Sequence, residues 1–236
     1  RGIEGIIVGP IKKTGRPLNL EWDRFSGVSC GGDFFPPPLH KVQVNQNQLA
    51  TLAYRVAIEH GYRRIGIALD FHPSETPDDA ERLGAFAYQQ KRYAAHLPEI
   101  PILTTREPEA FGAWFHAHRP ELVIGLTVKT YRHLLTIGAR IPDVTGFLAL
   151  LNTPDDPGIA YIDNLEHEVG ATAFDYLEHM IRSHQRGIPR HRRFIFTETE
   201  LHRGETLRKV GSPAPGLEHI LKHGQHGSYR HSVHAF

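Results

Sequence analysis

One cysteine, Cys30, occurs in 236 residues. No disulfide can form within the chain, and the composition fits a reducing compartment such as the cytoplasm. Charge of either sign is not in excess: 27 Lys and Arg stand against 26 Asp and Glu, a formal net charge of +1. No global field therefore draws the chain to nucleic acid or to a membrane surface, and any DNA contact needs a separate basic module or a local patch. No apolar run is of membrane-spanning length, and no charged-then-apolar signal segment is read at the N-terminus. There is no phosphate loop and no GxGxxG, and His167-Glu168 lacks the second histidine of the zinc-protease helix pattern. No short fixed repeat is present, which argues against a solenoid.

What is present is ordinary for a globular protein: 40% hydrophobic and 22% charged residues. The length suits one large α/β domain or two lobes of about 100 residues each. The stretch LATLAYRVAIEHGYRRIGIAL, residues 49–69, organises the rest. Leu49, Leu52, Ala53 and Val56 recur at helical spacing. Gly61 stands where a helix takes a left-handed C-cap. Ile65 to Leu69 is a short apolar run with no polar face, as in a strand buried on both sides of a parallel sheet. Asp70 follows at the strand's carboxyl edge, where open α/β sheets bind ligands.

Strands and helices alternate along the chain, as in βαβ units. Strands are predicted at Ile3 to Val8, Phe25 to Cys30, Lys41 to Val44, Ile65 to Leu69, Ile100 to Thr104, Leu122 to Leu126, Val144 to Leu151, Ile159 to Ile162 and Phe194 to Thr197. Trp22 to Phe25 reads as a short helical turn or a strand lead-in. Helices are predicted from Leu49, from Asp78 or Asp79 to about His96, at Pro108 to His118, at Thr130 to Gly138, and at Glu166 to Gln185. The second of these helices is expected to turn Leu83, Phe86, Ala87 and Tyr93 inward. Residues 152–158 read as a loop, and the pattern fails from Lys209, where GSPAPG reads as a linker, Leu217 to His223 as one or two helical turns within the tail, and the rest as mobile.

Several pieces taken together resemble the effector-binding core of the lac-repressor (LacI/GalR) family of transcriptional regulators. They are GIEGIIV at 2–8, HGYRRIGIAL at 60–69, AERLGAF at 80–86, ARIPD at 139–143, YIDN at 161–164, VGATAFDYL at 169–177 and ELHRGETLR at 200–208. Their joint order is more specific than any one piece. The resemblance implies an α/β fold of two Rossmann-like lobes with parallel sheets, periplasmic-binding-protein-like (type I), joined by three crossings. Residues 1–44 plus 164–197 would form the first lobe, 45–163 plus 198–206 the second, and 207–236 a flexible His-rich tail. The family's first strand and helix, its helix-turn-helix and its hinge helix have no counterpart here. The resemblance further implies a sugar-like effector held between the lobes, operator DNA bound through an N-terminal domain outside this sequence, a homodimer, and neither catalysis nor a cofactor. A periplasmic solute-binding protein of a transporter shares the fold and is the alternative.

The polar residues expected to meet a ligand are Arg82, Asp70, Asp33, Thr127, Ser29 and Asn164. Arg82 matches the arginine that in the family reaches a sugar hydroxyl pair, and its planar fork suits two hydroxyls or one carboxylate. On a bare sequence it also reads as the partner of Glu81, Asp78 or Asp79. The turn and strand-end residues Asp70, Asp33 and Thr127 equally suit caps and turns, and Asn164 suits backbone bonding at a crossing. Thr127-Val128 replaces the family's usual Asn-Asp, and Leu150 or Leu151 its usual aspartate, a departure from the standard monosaccharide site. Phe34, Phe35, Phe71 and Trp22 are candidates for stacking on a sugar face. No metal site is expected: His116 and His118 splay apart, and His219, His223 and His226 lack an acid or cysteine to complete a set. Cys30 reads as a buried small thiol, and Arg186, Arg190, His191, Arg192 and Arg193 as a solvated basic loop.

Overall fold

In chain order the elements are β1 (Gly5–Val8), a 3-10 turn at Trp22–Arg24, β2 (Ser26–Cys30), β3 (His40–Val44), α1 (Gln46–Glu59), β4 (Ile65–Ala68) and α2 (Pro77–Tyr93). There follow α3 (Pro108–His118), β5 (Leu122–Gly125), α4 (Val128–Thr136), β6 (Gly146–Ala149), β7 (Tyr161–Asp163), α5 (Glu166–Arg182), β8 (Phe194–Thr197) and β9 (Glu200–His202). The structure, a computed structural model, describes residues 2–10, 18–31, 38–69, 76–105, 107–151, 158–209 and 217.

Two sheets result. One has the order β1-β2-β3-β8, all parallel; the other has the order β4-β5-β6-β7-β9, parallel except for β9. The chain passes between them three times: after β3, after β7 and after β8. This is the architecture of two lobes and three crossings expected above, with one antiparallel edge strand added. β4, β5 and β6 are buried at every position, which is why they read as unbroken apolar runs.

The organising stretch folds as predicted. Asn45 accepts from the Gln48 amide at 3.0 Å and caps α1. Gly61 ends it at φ +75°, a conformation that a side chain would strain. Helix α5 packs on the first sheet, with Val169, Ala173, Leu177 and Met180 buried. Helices α1 and α2 pack on each other, with Tyr54 stacked on Tyr93 at 5.8 Å between ring centroids.

Several expectations are corrected. Helix α2 begins at Pro77, capped by Thr76, whose Oγ1 accepts from the Asp79 amide at 3.1 Å; proline at the first position sets the start. Its inward face is Asp79, Arg82, Ala85, Phe86, Gln89, Gln90 and Tyr93, with Ala87 exposed and Leu83 half-buried. The buried amides are satisfied at a distance, Gln89 by Thr51 Oγ1 and Gln90 by the Ile100 carbonyl. Residues 100–104 form only a one-residue bridge, Leu103 to Ala68, because Pro101 has no amide to continue a ladder. β9, three residues long, had no apolar pattern to announce it. Leu217, expected in a mobile tail, is fully buried in the larger core cluster.

That cluster runs from Val28 and Val42 through α1 to Ile67, Ile124 and Leu148. A smaller one forms around Phe111, Trp114, Leu134 and Phe147. Trp114 lies across Gly66 of β4, where an added Cβ would stand 2.6 Å from its Cη2 and 2.9 Å from Pro120 Cβ. Gly66→Ala is therefore expected to destabilise the fold by about 2 kcal/mol, the usual cost of overpacking, read as a lowered urea midpoint at unchanged slope.

Candidate functional site

The carboxyl ends of strands from both sheets converge on one cavity of about 670 Å³. From the first sheet come Pro10 after β1, Cys30 and Gly31 at the end of β2, and Gln43 and Val44 at the end of β3. Gln46 opens α1, and Asp78 and Arg82 lie on the first turns of α2. Leu151 follows β6, Asn164 follows β7, and Glu166, Val169 and Gly170 form the start of α5. A cleft of this size, with an apolar wall and a few convergent polar groups, is what a small ligand requires.

Arg82 is the most constrained polar group there. It is 6% exposed. Its Nε donates to Gln46 Oε1 at 2.9 Å and one terminal nitrogen donates to Asp79 Oδ1 at 3.0 Å, while the other lies 3.9 Å from Asp78 Oδ2. Burial lowers the guanidinium pKa, and the carboxylates of Asp78 and Asp79 oppose that shift. Arg82 thus lines the cavity and also pairs with the acids of its own helix start. Lys41, buried on β3, has its pKa lowered by burial and raised again by Asp78 and Glu81. One acid on α2 therefore faces cations from α2 and from the first sheet.

Of the other candidates, Asn164 also lines the cavity and is buried. Ser29 and Thr127 lie outside it: Ser29 Oγ donates to the His40 carbonyl at 3.3 Å, and Thr127 caps α4, its Oγ1 accepting from the Lys129 amide at 3.3 Å. Trp22 packs over Gly27 and donates Nε1 to the Leu18 carbonyl, away from the cavity lining. Asp33, Asp70, Phe34, Phe35, Phe71, His219, His223 and His226 fall outside the described residues. Leu151, one of the two positions aligned with the family's aspartate, contributes apolar wall; Leu150 is fully buried. Gln43, Gln46 and Glu166 line the cavity without having been singled out by sequence. The signal available for the first two was their place at the β3–α1 junction, on a strand's carboxyl edge.

Gly27-Val28-Ser29-Cys30-Gly31 spells G-x-S-x-G, but Ser29 lies within β2 with its hydroxyl given to a backbone carbonyl, where a nucleophile elbow needs it exposed on a strand-to-helix turn. Among the described residues no group of three His, Cys, Asp or Glu is placed to hold a metal ion, and no helix is long and apolar enough to cross a membrane. Burial pushes the Cys30 thiol pKa up, against the lowered value of a nucleophilic cysteine.

No protein-family model and no curated protein matches the sequence. Solved structures do match. A LacI-family transcriptional regulator from Sanguibacter keddieii superimposes with a TM-score of 0.64 at 18% identity, over 86% of this chain and 79% of that one. A LacI transcriptional regulator from a Rhodococcus species gives 0.64 at 17%, over 89% and 80%. A LacI-family regulator from Enterococcus faecium with bound ribose gives 0.60 at 13%, over 78% and 72%. The fold is the periplasmic-binding-protein-like one of these regulators. At such identities the likeness is one of architecture, and the residues of the cavity stand on their own geometry.

Removing Arg82 alone strands the buried Asp79 carboxylate. Arg82→Ala is expected to cost about 3–5 kcal/mol by urea unfolding, and Arg82→Met combined with Asp79→Leu to restore most of it. A loss below about 1 kcal/mol would mean that the pair is solvated rather than buried.

Proposed function

We propose that this chain is the ligand-sensing core of a LacI-type transcriptional regulator, binding a small sugar-like effector in the cavity between two lobes. The observation that carries the reading is the cavity itself, lined by the carboxyl ends of strands from both sheets and by Arg82. Similarity to regulators, one of them holding ribose, supports this reading over that of a transporter's binding protein. The division that fits the sheets is 1–44 with 164–197 as one lobe and 45–163 with 198–206 as the other, followed by residues 207–236. Arg82 and Asn164 are the proposed effector contacts; Asp33 and Asp70 are further candidates from sequence, and Ser29 and Thr127 act in support of the backbone.

The function is binding without turnover. A ligand that touches both lobes favours their closed arrangement over open ones by its differential affinity. A homodimer in the cytoplasm would pass that shift to DNA-binding heads N-terminal to residue 1, and so to operator DNA. No cofactor takes part.

The test is a thermal-shift screen with D-ribose, D-glucose and cellobiose, run on the parent and on Gly170→Trp. Gly170 lines the cavity, and a Cβ there meets nothing within 4 Å. Replacing a helical glycine adds about a few tenths of a kcal/mol of helix propensity. A ligand at about one hundred times its Kd stabilises by about 2.7 kcal/mol. The expected result is a raised Tm in the parent that disappears in Gly170→Trp. A shift that survives the substitution would put the ligand elsewhere, and no shift with any sugar would overturn the reading.

A further inference from the structure

The charges around the cavity and one buried amide narrow the ligand further, given the reading of the cavity as a ligand site. Arg82, the described cation of the lining, and Lys41 on the adjoining strand β3 are both already engaged. Arg82 is held by Gln46, Asp79 and Asp78. Lys41 lies in the fields of Asp78 and Glu81. Glu166 adds a further carboxylate at the cavity wall, exposed to solvent. Acids thus outnumber bases among these residues, and among the described residues an arriving carboxylate or phosphate would shed its hydration and meet no unengaged cation.

Gln43 shows what the cavity does offer. It lines the cavity and is 5% exposed, and its Oε1 is buried with no hydrogen-bond partner. Register places Gln43 on the same face of the sheet as Lys41, opposite Phe196 and Phe194 respectively. A buried amide oxygen without a donor is costly and uncommon, and this one belongs to a side chain that lines the cavity. An amide both donates and accepts, as a hydroxyl does.

We infer that the cavity selects a hydroxyl-bearing ligand without negative charge, and that Gln43 is a specificity residue that accepts a hydroxyl hydrogen bond from it. Two measurements test this. The first pairs D-ribose with ribose 5-phosphate and D-glucose with D-glucuronate in thermal shift, on the parent and on Gln43→Leu. Leucine fills the space and removes the unpaired oxygen, so the ligand-free Tm should hold or rise while affinity for the neutral sugar falls about three- to tenfold. A purely structural glutamine would leave the affinity for the neutral sugar unchanged while the ligand-free Tm moved. An anionic member binding as well as its neutral partner overturns the charge selection while leaving the cavity reading intact. A neutral ligand indifferent to Gln43→Leu overturns the role of Gln43.

The second measurement needs no ligand. Cys30, the chain's single cysteine, lines the same cavity. Its alkylation by iodoacetate and by iodoacetamide is followed by mass spectrometry, with 2-mercaptoethanol as reference. Sulfur displaces iodide in both cases and the thiol proton goes to buffer, so only the reagent's charge differs. The iodoacetate-to-iodoacetamide rate ratio is expected to be about threefold lower at Cys30 than for the reference, to rise in Glu166→Gln, and to approach the reference at high salt. A ratio equal to or above the reference overturns the inference even if no sugar in the screen binds.

Discussion

Parallel pairing is the constraint from which the rest of this architecture follows. Parallel neighbours cannot be joined by a tight turn; each return needs a crossover that covers a face of the sheet. With two such sheets, the chain crosses between them at the carboxyl ends after β3, β7 and β8. The same ends carry Gln43, Cys30, Leu151 and Asn164 to the cavity. The cleft is therefore a product of connectivity, and its chemistry depends on which side chains fall in the last position of each strand and the first turn of each helix.

What was legible in the sequence was what apolar periodicity records. The runs at β4, β5 and β6 and the stripes of α1 and α5 announce themselves because burial there is hydrophobic throughout. The inward face of α2 was misread because half of it is polar. Arg82, Gln89 and Gln90 are buried only because Gln46, Thr51 and the Ile100 carbonyl meet them, and no local pattern encodes partners so far away in the chain. Thr127 shows the converse difficulty: a threonine at a strand end looks the same whether it holds a ligand or a helix amide, and here it holds the amide. Gln43 and Gln46 carried no signal of their own, and that the Gln43 amide oxygen is buried without a donor became clear only from the packing.

Arg82 illustrates how one residue can both line a cavity and hold the fold together. Its guanidinium joins the first turn of α1, through Gln46, to the first turn of α2, through Asp79. That arrangement fixes the geometry of the cavity wall before anything binds, in the manner of a preorganised site. It also means that an arginine does not by itself make the cavity a receptor for anions: charge already balanced on the protein is not offered to a ligand.

Helix α2 carries a mechanical consequence. Its 17 residues form a rod about 25 Å long, with Asp78 at the cavity end and Tyr93, stacked on Tyr54, at the other. A rod clamped to α1 along its length does not bend to absorb a small push at its tip. Helices α1 and α2 therefore form one stiff pair that reaches from the cavity to the Tyr54–Tyr93 stack.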